Sequence, residues 1–323
     1  MDFPRILKKR KGYIERIKPF MRKSVAKVLT GQRRVGKSFL LYQLIEEILG
    51  EEPNANIIYI NLEDFEFSSL QTAQDLHSYI ISQSQKKDKN YIFIDEIQDI
   101  PGFEKVIRSL LLNEDNDIYI TGSNANMLSG ELATYLSGRY IEFKIYSLSY
   151  LEFLEFHGLT DNEKSYELYS RYGGLPYLLN LPLEDETVNE YLKSIYSTIV
   201  FRDVVSRYKL RNTLFLEKLI QFLSENIGNL FSAKNISDYL KSQHATVSVN
   251  QIQNYTEYLS NAFLIHRVER YDSVSYTHLR AHETCACLVG SEMCIRDRRN
   301  TISKIWESAI LLLDIALQTK PKY

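Results

Sequence analysis

Short apolar runs alternate with helical patterns along the first half of the chain. Continuous apolar runs occur at residues 25–30, 57–61, 91–94, 118–120 and 140–143. Segments with apolar residues at every third or fourth position lie between them, at residues 70–84 and 103–112. Apolar strands that alternate with helices are typical of a parallel sheet with helices on both of its faces. We therefore predict an α/β fold with such a sheet over residues 1–146.

The pattern becomes mostly helical after residue 146. Residues 147–210 show one clear break, at Gly173-Gly-Leu-Pro176, and we predict a helical lid there. Residues 211–272 show three short amphipathic helices and then a strand-like run. Two of these helices follow a serine that suits the N-cap position, Ser232 and Ser248. This order resembles a winged helix, so we predict a winged-helix domain over residues 211–272.

Composition places the chain among ordinary soluble proteins. Its 323 residues are 44% hydrophobic and 25% charged, and the formal net charge is −2. This balance argues against an overall basic surface for nucleic acid, although a local basic patch is compatible with it. No apolar run approaches the roughly 20 residues that cross a bilayer, and the basic N-terminus lacks the apolar core of a secretory signal. We therefore expect a cytoplasmic protein without membrane contact.

The C-terminal segment contains all three cysteines, Cys285, Cys287 and Cys294, with His278 upstream. Such a cluster suggests zinc, but the Cys-x-Cys spacing lacks the second well-spaced pair of a structural site. Residues 273–298 instead resemble peptides translated from sequencing-adaptor DNA. We therefore predict no zinc site, treat this segment as non-native, and regard residues 299–323 as a tail of uncertain origin. The rest of the chain contains no cysteine, which agrees with a reducing compartment.

One octet carries the strongest chemical signal in the sequence. Residues 31–38 read Gly-Gln-Arg-Arg-Val-Gly-Lys-Ser and fit G-x-x-x-x-G-K-[ST], the loop whose backbone N–H groups surround nucleotide phosphates. Lys37 would reach the β- and γ-phosphates of ATP, and the Ser38 hydroxyl would hold Mg²⁺. Gly31 and Gly36 permit backbone angles that a Cβ would forbid. The other positions expected to contact the nucleotide are Gln32, Arg33, Arg34, Val35 and Phe39.

Two acids end the third predicted strand. Asp95 and Glu96 follow a buried apolar run, at the edge of an open α/β sheet where ligands bind. Asp95 would hold Mg²⁺ together with Ser38, since Mg²⁺ takes few protein carboxylates. Glu96 would face the γ-phosphate and act as general base for the attacking water. Ser123 and Asn124, after the fourth strand, would contact the γ-phosphate or that water, or else close the strand with a turn.

Three arginines have more than one expected role. Arg139 would stabilise the charge of phosphoryl transfer, within its own chain or from a neighbouring subunit, or would form a structural ion pair. Arg33 and Arg34 would add positive potential to the phosphate loop, or one of them would anchor the loop to Glu63 or Asp64. The sequence leaves these alternatives open.

The motifs occur in an order that resembles a known family. The octet, Ile94-Asp-Glu-Ile97, Thr121-Gly-Ser123, Leu136-Ser-Gly-Arg139 and Gly173-Gly-Leu-Pro176 together look like the AAA-like P-loop ATPases of bacteria and archaea that carry a C-terminal domain of unknown function. The last of these elements is similar to the GxP motif of STAND-type signalling ATPases. That resemblance implies that Gly174 and Pro176 line the adenine pocket, and the alternative is a simple helix break. Family members usually continue into a nuclease-like α/β domain, and this chain departs from the pattern at Ser273.

These features predict an ATP-binding protein, a Mg²⁺-dependent ATPase in which nucleotide state drives a conformational switch. One alternative is a DNA-binding regulator that uses ATP as a ligand, and another is a P-loop kinase for a small molecule. The predicted third helix of residues 211–272 would read base edges of DNA through Asn250, Gln251, Gln253 and Asn254. Lys241 and His244, near this helix, would contact phosphates. The same domain would otherwise bind a protein partner or serve the ATPase itself.

Overall fold

The chain forms two compact units, Met1–Ile145 and Tyr146–Tyr323. They are seen in a computed structural model, which describes residues 8–85, 89–125, 135–136, 138–242, 247–269 and 284–288. The first unit contains the phosphate-loop octet and the two acids after the third apolar run, and the second contains the mostly helical remainder.

The first unit is an α/β structure. Its strands are β1 (Ala26–Thr30), β2 (Asn56–Asn61), β3 (Asn90–Asp95), β4 (Asn116–Gly122) and β5 (Tyr140–Lys144). Its helices are α1 (Lys11–Ile17), α2 (Lys37–Glu51), α3 (Ala73–Gln83) and α4 (Phe103–Leu110). A capping box of Thr72 and Asp75 starts α3, because each side chain satisfies a backbone N–H that the first turn leaves without an acceptor. The elements predicted from the apolar pattern are therefore present, with ends that differ by a few residues.

The five strands form one parallel sheet in the order β2-β3-β4-β1-β5. β4 lies between β1 and β3, so that Thr30 pairs with Gly122 and Ile94 pairs with Ile120. The carboxyl ends of β1, β4 and β3 therefore meet at one edge of the sheet, the edge at which open α/β sheets bind ligands. The predicted α/β class and parallel sheet are confirmed.

Branched apolar side chains fill the core of this unit. All residues of β1, β3 and β4 are buried, which suits the near-continuous apolar runs of their sequences. One face of the sheet packs against α3 and α4, through a cluster that includes Val28, Ile58, Ile92, Ile118, Leu76, Ile80, Val106 and Ile107. The central strands therefore give rigid support to whatever their carboxyl ends carry.

A buried ion pair lies at the opposite, amino-terminal edge of the sheet. The side chains of Lys27 and Asp117 are both 0% exposed. Lys27 Nζ donates to one carboxylate oxygen of Asp117 and, at 2.8 Å, to the carbonyl of Val25. The other Asp117 oxygen accepts from the backbone N–H of Arg22 at 2.7 Å and from the Tyr119 hydroxyl at 2.9 Å. Burial lowers the pKa of Lys27, and the neighbouring Asp117 carboxylate opposes that shift.

The second unit is mainly helical. Its helices are α5 (Tyr150–His157), α6 (Glu163–Tyr172), α7 (Asp185–Thr198), α8 (Thr213–Glu225), α9 (Ala233–Ser242) and α10 (Val249–Asn261), and a π-helix, Ile199–Ser206, continues α7. The predicted break after α6 is present, and it is followed by a 3₁₀ turn, Pro176–Asn180. Ser232 and Ser248 accept backbone N–H bonds from Asn235 and Gln251, which confirms both predicted N-caps.

A small antiparallel sheet completes the second unit. It contains β6 (Leu230–Phe231), β7 (Ile265–Glu269) and β8 (Thr284–Leu288) in the order β6-β8-β7. β8 lies within residues 273–298 and includes positions 285 and 287, whereas His278 and Cys294 lie outside the described residues. Among the residues that the structure describes, no three His, Cys, Asp or Glu side chains form a group that could hold a metal ion. No helix of the described segments combines the length and apolar character of a membrane span.

Removal of the Asp117 charge should strongly destabilise the first unit. Asp117→Asn leaves the buried Lys27 ammonium without its counter-charge, and breaking a buried pair in this way costs about 3–5 kcal/mol. Urea denaturation followed by circular dichroism should show a loss of that size in the free energy of unfolding. The matched control is Glu46→Gln, because Glu46 pairs with Lys9 at 3.7 Å with both side chains 41% exposed. That surface change should cost less than about 1 kcal/mol, and equal losses in the two variants would contradict the prediction.

Candidate active site

The octet forms a loop between β1 and α2 at the carboxyl edge of the sheet. Gly36 is the N-cap of α2 and adopts a left-handed conformation, with φ of 92°. The first N–H groups of a helix have no acceptor within the helix, so this helix start is suited to bind an anion. A Cβ on Gly31 would lie 2.2 Å from the backbone oxygen of Ile145. Only glycine fits at the point where the loop leaves β1.

Arg10 and Gln43 brace the loop, although no motif marks them. The buried Arg10 guanidinium donates to the carbonyl of Val35 at 3.3 Å. Gln43, on α2, accepts from the backbone N–H of Arg10 at 3.0 Å and donates to the Lys8 carbonyl at 3.1 Å. The chain before α1 is therefore attached to the loop and to the helix that follows it.

The two arginines of the octet have different surroundings. Arg33 Nη1 donates to Glu63 Oε1 at 3.1 Å, which confirms the alternative that one loop arginine is anchored to an acid after β2. Arg34 is exposed and has a φ of 67°, in the left-handed region. Phe39, in the first turn of α2, is 47% exposed and packs edge-to-face with Tyr42, with ring centroids 6.0 Å apart.

The Lys37 ammonium lies inside the loop. Its side chain is buried, and Nζ donates to the carbonyl oxygens of Gly31 and Gln32 at 3.0 Å each. Nζ also lies 3.5 Å from a carboxylate oxygen of Glu96. The Gln32 side chain is buried as well, and its Oε1 has no hydrogen-bond partner in the described part of the chain. The loop thus places a positive charge beside the acid that follows β3.

Hydroxyl groups from three elements hold the Asp95 carboxylate at the end of β3. The Thr121 hydroxyl, on β4, donates to Oδ1, and the Tyr59 hydroxyl, on β2, lies 3.4 Å from Oδ2. The Ser38 hydroxyl, on α2, forms a further hydrogen bond to this carboxylate. The structure therefore brings together Ser38 and Asp95, the two predicted magnesium ligands.

Glu96 occupies an unusual position in the backbone. Its φ of 55° and ψ of 47° are left-handed, which is uncommon for a residue with a Cβ. Its N–H donates to the Thr121 hydroxyl oxygen at 2.9 Å. One carboxylate oxygen faces Lys37, and the other accepts from the Gln98 amide at 2.5 Å. The Ser123 hydroxyl also forms a hydrogen bond to this carboxylate.

The two adjacent acids differ in their electrostatic settings. Burial raises the pKa of Asp95 above its ordinary value, although the hydrogen bonds from Ser38 and Thr121 oppose the rise. Burial would also raise the pKa of Glu96, but the Lys37 ammonium and the Gln98 amide outweigh it and hold that pKa below its ordinary value. The neighbouring Lys37 ammonium therefore favours the ionised form of Glu96, whereas burial opposes the ionised form of Asp95.

Comparisons with known proteins give the family. A family model described as an AAA domain matches residues 23–154, and a model described as a domain of unknown function, DUF8612, matches residues 163–283. An uncharacterized protein of Haemophilus influenzae is 38% identical over 270 residues, which cover 81% of this chain and 67% of that protein. The chain belongs to the AAA-like P-loop ATPase family.

Two further proteins are similar to this chain. An uncharacterized protein of Methanocaldococcus jannaschii is 32% identical over 270 residues, so that 78% of this chain spans 59% of that protein. A Walker-type ATPase of Pyrococcus abyssi has a similar fold, with a TM-score of 0.55 and 16% identity over 81% of this chain and 91% of that one. The match of the AAA domain model to residues 23–154 confirms the resemblance to AAA-like P-loop ATPases.

The P-loop ATPase family implies a nucleotide and usually Mg²⁺, and the residues of this site suit both. Mg²⁺ prefers oxygen ligands and usually takes one or two carboxylates while it keeps several waters. The Ser38 hydroxyl and the Asp95 carboxylate, hydrogen-bonded to each other, are such a donor set. The start of α2 and the Lys37 ammonium supply the positive potential that phosphate oxygens need.

The structure does not bring every predicted P-loop ATPase residue to this site. Ser123 contacts Glu96, and Asn124 is buried directly after it. Arg139 is exposed at the start of β5, where its carbonyl accepts from the Ala26 N–H at 2.9 Å. The P-loop lies beyond the other end of the five-residue strand β1, at about 3.3 Å per residue. Arg139 therefore does not lie at the P-loop of its own chain, and a role at a neighbouring subunit stays a prediction.

Gly174 and Pro176 belong to the second unit. A Cβ on Gly174 would lie 2.2 Å from the carbonyl oxygen of Leu148, and the Leu148 N–H donates to the Gly174 carbonyl at 2.7 Å. Close approach of two backbones therefore requires glycine at this position. Pro176 starts the 3₁₀ turn, whose first position needs no backbone N–H. The role of both residues in an adenine pocket stays a prediction.

Motif reading missed three residues that hold the acids, namely Thr121, Gln98 and Tyr59. Thr121 belongs to the Thr-Gly-Ser element, and Gln98 follows Glu96 by two positions, so closeness to a motif was the available signal for both. Tyr59 reaches Asp95 from the neighbouring strand β2, which local sequence does not reveal.

Gly31→Ala should destabilise the first unit and displace the loop, because the new Cβ meets a backbone oxygen at 2.2 Å. Overpacking of this kind costs about 1–3 kcal/mol. The matched control is Gly50→Ala on α2, where a Cβ would meet nothing within 4 Å. Alanine inside a helix is more stable than glycine by about 0.5–1 kcal/mol. Thermal unfolding of both variants tests this, and a Gly31→Ala protein as stable as the parent would contradict it.

Proposed function

We propose that this protein binds ATP and hydrolyses it with Mg²⁺, and that its nucleotide state drives a conformational switch. The observation that carries the proposal is the meeting of Lys37, Ser38, Asp95 and Glu96 at the carboxyl edge of one sheet. Each side chain has the chemistry that one part of phosphoryl transfer to water requires. The fold shared with the Walker-type ATPase of Pyrococcus abyssi supports the same conclusion.

Each residue has a separate task in this proposal. The N–H groups at the start of α2 and the Lys37 ammonium bind the β- and γ-phosphate oxygens. Ser38 and Asp95 hold Mg²⁺, which when bound neutralises charge on the same oxygens. Glu96 accepts a proton from the attacking water, and its lowered pKa keeps it ionised at neutral pH. Ser123 and Asn124, after β4, contact the γ-phosphate or that water.

The second unit is the responding part in this proposal. We assign residues 147–210 to a helical lid, with Gly174 and Pro176 at the adenine, and residues 211–272 to a winged helix. The succession of α8, α9, α10 and β7 supports the second assignment. The γ-phosphate and Mg²⁺ hold one arrangement of core, lid and winged helix, and hydrolysis releases it.

Mg²⁺-dependent phosphate release from ATP tests the proposal directly. The parent protein should turn over, Lys37→Ala should lose most ATP binding, and Glu96→Gln should bind ATP while its kcat falls by about 10²–10⁴. Lys105→Ala and Glu66→Gln, both at exposed positions of the first unit, are matched controls and should behave as the parent does.

The same assay separates the ways in which the proposal can fail. Tight ATP binding by the parent without phosphate release would show a ligand-gated binding protein and overturn the hydrolase assignment. A folded parent that binds no ATP would overturn the nucleotide site itself. Full turnover in Glu96→Gln would remove Glu96 from its role as general base.

A DNA-binding role is the second candidate, and the exposed face of α10 favours it. Asn250, Gln253 and Asn254 are exposed there, and amide side chains can bond adenine edges bidentately. Gln251 differs from this set, because its side chain completes the capping box with Ser248. The exposed Glu257 on the same helix opposes contact with phosphates. DNA affinity through this face should therefore depend on base contacts more than on charge.

Fluorescence anisotropy with labelled duplex DNA, over a series of salt concentrations, tests this candidate. Binding through α10 should weaken about tenfold or more in Asn254→Ala, the loss expected for one bidentate amide contact. Asn54→Ala, at an exposed position of the first unit, should leave it unchanged. Absence of binding, or equal binding by both variants, would rule out base readout by this helix.

A further inference from the structure

Gln98 lies beside the general base on the turn that follows it. The 3₁₀ turn Ile97–Asp99 starts directly after Glu96, and the Asp99 N–H donates to the Glu96 carbonyl at 3.1 Å. This short turn fixes the distance between positions 96 and 98. Gln98 Nε2 lies 2.5 Å from Glu96 Oε2 and 3.5 Å from the Ser123 hydroxyl oxygen. The Gln98 side chain is thus part of the same polar cluster as the acid.

The chemistry of the acid determines which end of the amide faces it. An ionised carboxylate can only accept hydrogen bonds, so the NH₂ group of Gln98 must point toward Glu96. The amide oxygen Oε1 must then point away from it. This orientation follows from the partner, although amide nitrogen and oxygen are usually difficult to tell apart.

The amide oxygen of Gln98 can accept a hydrogen bond, but no donor among the described residues provides one. Gln98 Oε1 is buried and has no hydrogen-bond partner in the part of the chain that the structure describes. Buried polar atoms in native proteins nearly always have a partner, so an exception needs a physical account. An acceptor held next to a carboxylate is suited to a small donor with two hydrogens. Water is that donor, because it can give one hydrogen to each acceptor.

We propose that Gln98 positions the attacking water for ATP hydrolysis. Its Nε2 holds the Glu96 carboxylate, and its Oε1 accepts one hydrogen of the water while Glu96 accepts the other. The water oxygen forms a bond to the γ-phosphorus, and the bond from that phosphorus to the bridging oxygen breaks. Glu96 takes the proton from the water, and the electron pair of the broken bond leaves with the β-phosphate of ADP. This inference rests on the hydrolysis proposed above and adds a second acceptor to it.

Gln98→Met is the variant that isolates this role. Methionine keeps the length and approximate volume of the side chain but has neither the amide donor nor the amide oxygen. We expect kcat to fall about 10- to 100-fold, the loss typical for a misplaced reactant, while the KM and Kd for ATP stay within about twofold. Gln98→Asn, with an amide about 1.5 Å too short, should also lower kcat without changing ATP binding. Gln71→Met, at an exposed position, is the matched control and should equal the parent.

A double variant distinguishes action on the water from a general effect on the fold. If Gln98 and Glu96 act on one water, Gln98→Met should lower kcat by less than about threefold in a Glu96→Gln protein, because the two losses overlap. Independent losses that multiply would overturn the shared role. A Gln98→Met protein that binds ATP and turns over at the parental rate, or faster, would overturn the inference and leave the ATPase proposal intact. A parent that binds ATP without hydrolysis would overturn both together, whereas a fully active Glu96→Gln protein would overturn the inference and the role of Glu96 as general base.

Discussion

Strand β4 separates β1 from β3, and its carboxyl end carries the hydroxyl that holds both acids. Thr121 donates to the Asp95 carboxylate and accepts from the backbone N–H of Glu96 at 2.9 Å. One small side chain thereby orients a carboxylate and stabilises the left-handed backbone of the next residue. The pairing of Thr30 with Gly122 brings the P-loop to the same edge. Without this strand order, the lysine of the P-loop and the acids of β3 would not meet.

Lys27 and Lys37 are both buried, but the groups around them differ in distance and in role. The Lys27 ammonium has the Asp117 carboxylate and a carbonyl as close partners, at the amino-terminal edge of the sheet. The acid nearest to the Lys37 ammonium, Glu96, lies 3.5 Å away. The other partners of the ammonium are backbone carbonyls of the loop that surrounds it. A buried ion pair in close contact stabilises the fold, because breaking it leaves a buried charge without a partner. A buried ammonium whose nearest acid is farther away can exchange its partners for a ligand. The amino-terminal edge of the sheet thus holds the ion pair that stabilises the fold, and the carboxyl edge holds the residues proposed for catalysis.

Local sequence predicted much of this arrangement and missed what depends on long-range pairing. The apolar runs placed the five strands, and the octet and the Asp-Glu pair placed Lys37, Ser38, Asp95 and Glu96 at strand ends. Periodicity does not encode strand order, so the placement of β4 in the middle, and with it the role of Thr121, was not predictable. The same limit applies to Arg139, since its distance from the P-loop depends on which end of β5 it occupies.

Ile145 connects the P-loop to the end of the first unit through its own peptide groups. Its N–H donates to the Thr30 carbonyl at 2.7 Å, and its carbonyl oxygen packs where a side chain on Gly31 would begin. It is also the last residue of the first unit. The residue at which the main chain leaves the first unit, Ile145, is therefore the same residue that contacts the start of the loop at Gly31. A displacement of Gly31 would therefore act on the backbone of Ile145 directly, without a relay of side chains.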